Sequence, residues 1–332
     1  MIKNTLFIGN GFSRSLFPNI PGWDELFRNM PEDLRKHGLG ELLRIAPTLV
    51  YEVYRKALRS SIEDESALKH QLLEQIDDTF QSEDVACNSE EIGSFGNMLA
   101  DHNVGDIITT NYDYGIEWIL KKCGYEQKVA HGLIPEQIYN IRTYKVFRND
   151  KTTHTVKLWK IHGDSDSERI KSVTLGFDQY CGTIAKEYDY VKGEYASNRN
   201  TRSNKLSVGA SNPVCSASLK DKCGGKKCFD GISWIELFFT SNVYIVGFGM
   251  GFSEIDIWWL LNQYSRLKEQ DLNQVNNTIT FIDNKQYSVD EKIKMILKYF
   301  DVCLTEIPSI GTDPNYLSNI FKQMNNSSST RA

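Results

Sequence analysis

Five short apolar runs along the chain are each stopped by a cluster of small or polar residues. This recurrence restricts the fold more than any other feature. Thr5-Leu6-Phe7-Ile8 stops at Gly9-Asn10-Gly11, and Asp106-Ile107-Ile108-Thr109-Thr110 at Asn111-Tyr112-Asp113. Val156 to Ile161 stops at His162-Gly163-Asp164, Val243-Tyr244-Ile245-Val246 at Gly247-Phe248-Gly249, and Thr278 to Ile282 at Asp283-Asn284. Runs this short and apolar read as strands buried on both faces. Between them the apolar spacing becomes helical, as in Ile116, Trp118, Ile119 and Leu120. Alternation of this kind predicts an α/β fold, a mostly parallel sheet with helices on both faces. Such sheets bind ligands at the carboxyl ends of their strands, where all five clusters fall.

The 332 residues are read as one domain, 1–332, carrying an inserted helical subdomain over 24–100. That stretch spaces Leu42, Leu43, Ile45, Leu49 and Val50 as an amphipathic helix does, and it is long for a crossover between strands. Residues 196–231 are rich in Ser, Asn, Lys and Gly and predict an exposed, flexible loop. Val173-Thr174-Leu175 reads as a further strand, Ile232 to Phe239 as a helix, and Asn325 to Ala332 as a frayed tail. A helix from Ser253 to about Leu267 starts with a cap-like Ser253-x-x-Asp256. A net charge of -5 offers no global basic field for nucleic acid. No apolar run reaches the ~18 residues of a membrane span, so no direct membrane binding is expected. Seven scattered cysteines fit a reducing cytoplasm better than a disulfide framework. Among them Cys215, Cys223 and Cys228 lack the paired spacing and fourth ligand of structural zinc, so no metal site is expected.

The clusters carry the chemistry. Gly9-Asn10-Gly11-Phe12-Ser13 is a glycine turn after a strand, either a tight turn alone or a place where free N–H groups meet a phosphate. The full G-x-G-x-x-G is absent, since Arg14 follows three residues after Gly11. Asn111 and Asp113 sit just past a strand. They either cap the next helix or bind ribose hydroxyls, a water and a substrate amide. His162, at another strand end, is either structural or a general base near neutral pH.

In this order the motifs resemble the sirtuin-like family, in particular its bacterial antiphage-defence branch. Gly9, Gly11 and Ser13 match the opening turn, and Ile20-Pro21-Gly22-Trp23 the Pro and aromatic that follow it. Thr110-Asn111-Tyr112-Asp113 matches the central signature, with Thr where deacylating members usually have Gln. His162-Gly163 matches the His-Gly pair, Val246-Gly247-Phe248-Gly249 the later glycine turn, and Asn284 an Asn near the adenosine half of NAD. The resemblance runs from residue 5 to about 285 and leaves out the helical insertion and the 196–231 loop. Two C-x-x-C pairs and an acyl-lysine cleft, features of deacylating members, are not visible. The helix Glu254-Ile255-Asp256-Ile257-Trp258-Trp259 looks like the defence branch.

The resemblance implies a Rossmann-like domain that hydrolyses the nicotinamide–ribose bond of NAD+, with NAD+ as substrate and no prosthetic group. It implies Asn111 and His162 as catalytic residues, Asn111 orienting ribose and water and His162 acting as base. The Gly9-Asn10-Gly11 loop would hold phosphates, with Phe12 and Ser13 beside it in the cofactor site, and Asp113 the nicotinamide carboxamide. Gly247, Phe248, Gly249 and Asn284 would complete the nucleotide site. It also implies an NAD-depleting effector controlled by assembly, as a homo-oligomer or with a partner ATPase or phage-derived activator. The alternative is a sensor module that binds NAD or ADP-ribose without turnover; protein deacylation is a third reading.

Overall fold

The computed structural model describes residues 2–17, 19–22, 26–27, 39–43, 46–57, 65–80, 91–128, 140–165, 170–195, 217–229, 233–270, 275–285, 288–308 and 315–329. Trp23 and residues 196–216 lie outside them. An eight-stranded sheet forms the centre. Its strands are β1 (Lys3–Ile8), β2 (Val104–Thr109), β3 (Glu126–Lys128), β4 (Lys145–Arg148), β5 (Thr155–Lys160), β6 (Ser241–Val246), β7 (Ile279–Asn284) and β8 (Val302–Ile307). The order across the sheet is β3-β4-β5-β2-β1-β6-β7-β8. Every pairing from β5 to β8 is parallel, and β3 and β4 add an antiparallel edge. The parallel part is therefore the doubly wound order in which the chain works outward from β1 to one side, then to the other. Its switch point is the crevice between the ends of β1 and β6.

The five apolar runs are β1, β2, β5, β6 and β7. Alternation within them decides which face each residue serves. Leu6 and Ile8 enter a core with Ile92–Asp101 (α5), Gly115–Lys122 (α6) and Tyr316–Ser329 (α12). Phe7 enters the opposite core with Trp234–Thr240 (α9) and Ile255–Glu269 (α10). Phe7, Ile8, Ile107, Ile108, Val243 and Ile245 have no exposed surface. Burying each such side chain contributes about 1.5–3 kcal/mol.

Four expectations need correction. Val173-Thr174-Leu175 is buried but forms no strand; its Thr174 amide donates to the His162 carbonyl (2.8 Å), so it serves the loop rather than the sheet. Ser253 does not cap α10: Glu254 precedes the first helical residue, and the Asp256 carboxylate bonds a histidine instead. Within the expected exposed loop, Leu219–Cys223 (α8) is a short helix with Leu219 and Cys223 buried and Lys222 paired with Glu236. The expected frayed tail remains helical to Ser329, anchored by buried Leu317, Ile320, Phe321 and Met324. The pairings that complete β3, β4 and β8 have no counterpart in the apolar runs, because these strands are short or partly exposed.

Residues after β1 contribute Leu39–Leu42 (α2), Pro47–Ala57 (α3) and Glu65–Thr79 (α4). The apolar faces of α3 and α4, with Leu26, Phe27 and Leu43, form a third, separate core that includes Tyr112 and Ile170, Val173 and Leu175. This seats the helices over the carboxyl ends of β2 and β5. No described helix is long and apolar enough to cross a membrane.

Candidate active site

The site begins where β1 and β6 end. The Gly9 amide donates to the Val246 carbonyl (2.9 Å), and the Gly11 amide to the Gly247 carbonyl (2.7 Å). Gly247 has φ +62°, and a Cβ on it would lie 2.1 Å from the Phe12 nitrogen. Any side chain here would push the two turns apart, so glycine is demanded by backbone approach. The same bonds remove the Gly9 and Gly11 N–H groups as phosphate donors, and the Phe12 N–H donates to Gly9 O (3.0 Å).

Next to this pair, the end of β2 is tied down. Thr109 Oγ1 donates to the Ile8 carbonyl (2.8 Å) and accepts from the Asn111 amide (3.0 Å). Asn111 Nδ2 donates to Ser13 Oγ (2.9 Å), and Ser13 Oγ donates weakly to Asp113 Oδ1 (3.4 Å). Asp113 Oδ1 also accepts from the Gly115 amide (2.8 Å) at the start of α6. Asp113 thus supports the helix start from one residue before the N-cap position, Tyr114. Asn111 does not cap: it lines the cavity, and its buried Oδ1 has no hydrogen-bond partner. Burial pushes the Asp113 carboxyl up, opposed by Lys160. Beneath the loop, Lys160 Nζ donates to the Tyr112 (2.9 Å) and Asp113 (2.7 Å) carbonyls and pairs with Glu117 (3.4 Å) and Asp164 (3.5 Å).

His162 follows β5, and Gly163 turns the chain with φ +105°, where a Cβ would collide with Ser172 and Val173. The imidazole is 1% exposed. Its Nε2 lies 2.6 Å from Asp256 Oδ2 on α10. Its Nδ1 lies 3.3 Å from the Tyr180 hydroxyl, on Phe177–Lys192 (α7), and 3.6 Å from Glu254 Oε2. Tyr180 Oη also donates to Glu254 Oε2 (3.3 Å). Burial alone would lower the His162 pKa, but the Asp256 and Glu254 carboxylates reverse this and raise it. Burial pushes Glu254 up to about 7, with His162 pulling the other way. His162, Glu254 and Asp256 bring three potential metal ligands within 4.8 Å. The 2.6 Å Nε2–Oδ2 contact is a hydrogen-bond length, too close for an ion that each atom would hold at ~2.0–2.2 Å in tetrahedral geometry.

Asn111, Tyr112, Asp113, His162 and Glu254 line a cavity of about 570 Å³, which also takes in Thr110, Pro21, Gly22 and the apolar Leu26, Leu43 and Ile76 of the helical segment. A second cavity of about 560 Å³ adjoins it and reaches Asp283 and Asn284 at the carboxyl end of β7. Asn10, Gly11, Arg14 and Gly247 to Gly249 line both. The result is two lobes joined over the switch point. Among the residues expected from sequence, Asn10, Gly11, Asn111, Asp113, His162, Gly247, Phe248, Gly249 and Asn284 all line one or both lobes. Gly9, Phe12 and Ser13 do not; Phe12 is core, and Ser13 is buried behind Asn111. Arg14, Tyr180, Glu254 and Asp256 were not anticipated. The only cue to Arg14 is its position one turn past the glycines; Asp256 had a cue that pointed to a helix cap.

A SIR2-like domain family model matches residues 105–211, a span that contains all of β2 but its first residue, the Asn111–Asp113 loop and His162. No curated protein matches the sequence.

Proposed function

We propose that this SIR2-like domain is an NAD+ hydrolase that breaks the nicotinamide–ribose bond. The observation that carries the reading is Asn111. Its Oδ1 is a buried acceptor without a partner, held in place by Ser13 on the wall of a two-lobed cavity at the switch point. An unsatisfied buried acceptor costs about 1–3 kcal/mol, so a ribose hydroxyl or a water that donates to it would relieve that cost.

A dinucleotide suits the two lobes, each within the ~300–1,000 Å³ range of ligand pockets. The nicotinamide half would take the lobe with Asn111, Asp113 and His162, and the adenosine half the lobe reaching Asn284. Because the Gly9 and Gly11 amides are already bonded, the exposed Arg14 guanidinium, present on both lobes, is the better partner for the pyrophosphate. Departure of nicotinamide leaves positive charge on the ribose ring, as in other glycosyl transfers. Asn111 would fix the ribose or the attacking water; the carboxylates of the lobe would favour the developing cation. In this proposal the helical segment over the cavity excludes bulk water.

Depletion of NAD would make the chain a toxic effector, consistent with antiphage defence, and such an enzyme needs control by assembly into a homo-oligomer or with a partner. The test is chromatographic detection of nicotinamide after mixing the purified chain with NAD, beside Asn111→Ala and His162→Ala. Release by the parent and loss in both variants is the expected result. Protection of the fold by NAD with no nicotinamide released would sink the hydrolase and leave the binding sensor.

A further inference from the structure

Both ring nitrogens of His162 are occupied: Nε2 by Asp256 Oδ2 at 2.6 Å, and Nδ1 by Tyr180 Oη at 3.3 Å with Glu254 Oε2 at 3.6 Å. A histidine held at both ends has no free nitrogen to turn toward a substrate. Its Asp256 partner is fully buried and absent from the cavity wall, and Tyr180 is absent from it as well. Glu254 is different. It lines the lobe that holds Asn111, and its side chain keeps 15% of its surface exposed. Within this cluster it is the proton acceptor that a molecule in the cavity can touch.

We propose that Glu254 is a catalytic residue of this site, the general base that takes the proton of the attacking water, and that His162 is a positioning residue acting through it. This role rests on the NAD hydrolase reading. In the step, the bond between ribose C1′ and the nicotinamide ring nitrogen breaks, and its electron pair goes to that nitrogen. The water oxygen forms the new bond to C1′. One water proton passes to Glu254, so neutral nicotinamide and ADP-ribose leave, and the proton is later released to solvent.

The surroundings support this division. Asp256 holds His162 as a hydrogen-bond donor at Nε2, and two carboxylates flank the ring, which favours imidazolium. An imidazolium cannot be the base, but it can hold the Glu254 carboxylate through Nδ1 and the shared Tyr180 hydroxyl. Burial raises Glu254 into the range where a base is effective at neutral pH. The other titratable or charged groups facing the cluster are Glu187 on α7, whose two oxygens are buried without partners and whose pKa burial and Asp256 raise, Tyr112 after β2, and Asp113 and Arg14 across the cavity. Nothing else in the lobe presents a carboxylate beside the His162 ring among the described residues.

The experiment compares the parent with Glu254→Gln, Glu254→Ala and Asp256→Asn on NAD, reading kcat, KM and the pH profile. Glu254→Gln is expected to lose about 10²–10⁴-fold in kcat with KM changed less than about threefold. Formate is expected to restore part of the activity of Glu254→Ala, because a small carboxylate can occupy the vacated position. Asp256→Asn is expected to shift the basic limb of the profile rather than abolish turnover. A parallel readout is the His162 ring resonance, assigned through His162→Ala. Its titration is expected to move downward in pH in Glu254→Gln, since a raising charge is gone. An active parent whose Glu254→Gln variant keeps its kcat and pH profile overturns the role of Glu254 alone. A parent that binds NAD and releases no nicotinamide overturns the hydrolase reading, and this role with it. Thermal melting separates either result from misfolding.

Discussion

The Gly11 amide donates to the Gly247 carbonyl at 2.7 Å, joining the turn after β1 to the turn after β6 across the switch point. Gly247 sits at φ +62°, and its α-carbon faces the Phe12 backbone. Gly247→Ala must therefore both occupy left-handed space and displace Phe12. Roughly 2–4 kcal/mol of stability should be lost. Urea unfolding should show a lower midpoint at an unchanged slope. A midpoint within error of the parent would mean that the turns do not meet as described.

Ser13 and Asn111 offer a finer contrast. Ser13 is buried and touches no cavity, yet it accepts the Asn111 carboxamide at 2.9 Å. Removing Ser13 frees the amide to rotate, whereas removing Asn111 deletes the acceptor itself. Asn111→Ala is expected to lower nicotinamide release by at least about 10²-fold, and Ser13→Ala by about tenfold, roughly one neutral hydrogen bond. Both should retain NAD binding by calorimetry. Equal losses in the two variants would refute the positioning role of Ser13.

Lys160 is 4% exposed and holds two carbonyls of the Asn111–Asp113 loop while paired with Glu117 and Asp164. Lys145 binds the same two carboxylates at 3.0 and 2.6 Å, so the network is two cations against two anions. Lys160→Met leaves a buried negative excess and orphans the Asp113 carbonyl, while the Tyr112 carbonyl keeps the Ser165 hydroxyl (3.1 Å). A cost of about 3–5 kcal/mol is expected, read from chemical denaturation. The double variant Lys160→Met with Glu117→Gln should recover part of it, and absence of recovery would mean that the charges are not coupled.

Much of this was legible in the sequence because β1, β2, β5, β6 and β7 are largely buried on both faces and hence mostly apolar, with Asp106 and Lys160 as buried exceptions. Each also ends at residues whose chemistry differs sharply from the strand. Asn111, Asp113 and His162 could be placed for that reason alone. Glu254 and Asp256 could not. The His162–Asp256 contact spans 94 residues, and no local spacing encodes a pairing made by two separate crossovers returning to one sheet edge. Locally, Ser253-x-x-Asp256 satisfied a capping pattern, and tertiary packing used the carboxylate otherwise. Phe12 and Ser13 erred in the opposite direction: adjacency to the glycine turn suggested ligand contact, but α1 (Asn10–Leu16) turns both inward. The edge strands β3 and β4 escaped because one side of an antiparallel edge is wet and its apolar pattern is faint.

The buried acids also set how stability depends on pH. Burial raises the pKa of Asp106, Asp113, Glu187 and Glu254, the last from 4.5 to about 7, and the carboxylates around His162 raise it above 6.5. In each case the native state holds a proton that the unfolded chain has released. For Glu254 this is so between about pH 4.5 and 7. The His162 contribution is fully present below 6.5 and is lost as pH rises through its folded value. These groups share one sign and outnumber the opposing His154, whose pKa burial lowers, so stability should fall as pH rises from 5 to 8, each group adding at most about 1.4 kcal/mol per pH unit. Melting temperatures in matched buffers should decline across that window. Glu254→Gln removes one such group and should flatten the decline while melting higher at pH 8. A parent whose melting temperature rises toward pH 8 would show that these carboxylates are not desolvated in the native protein.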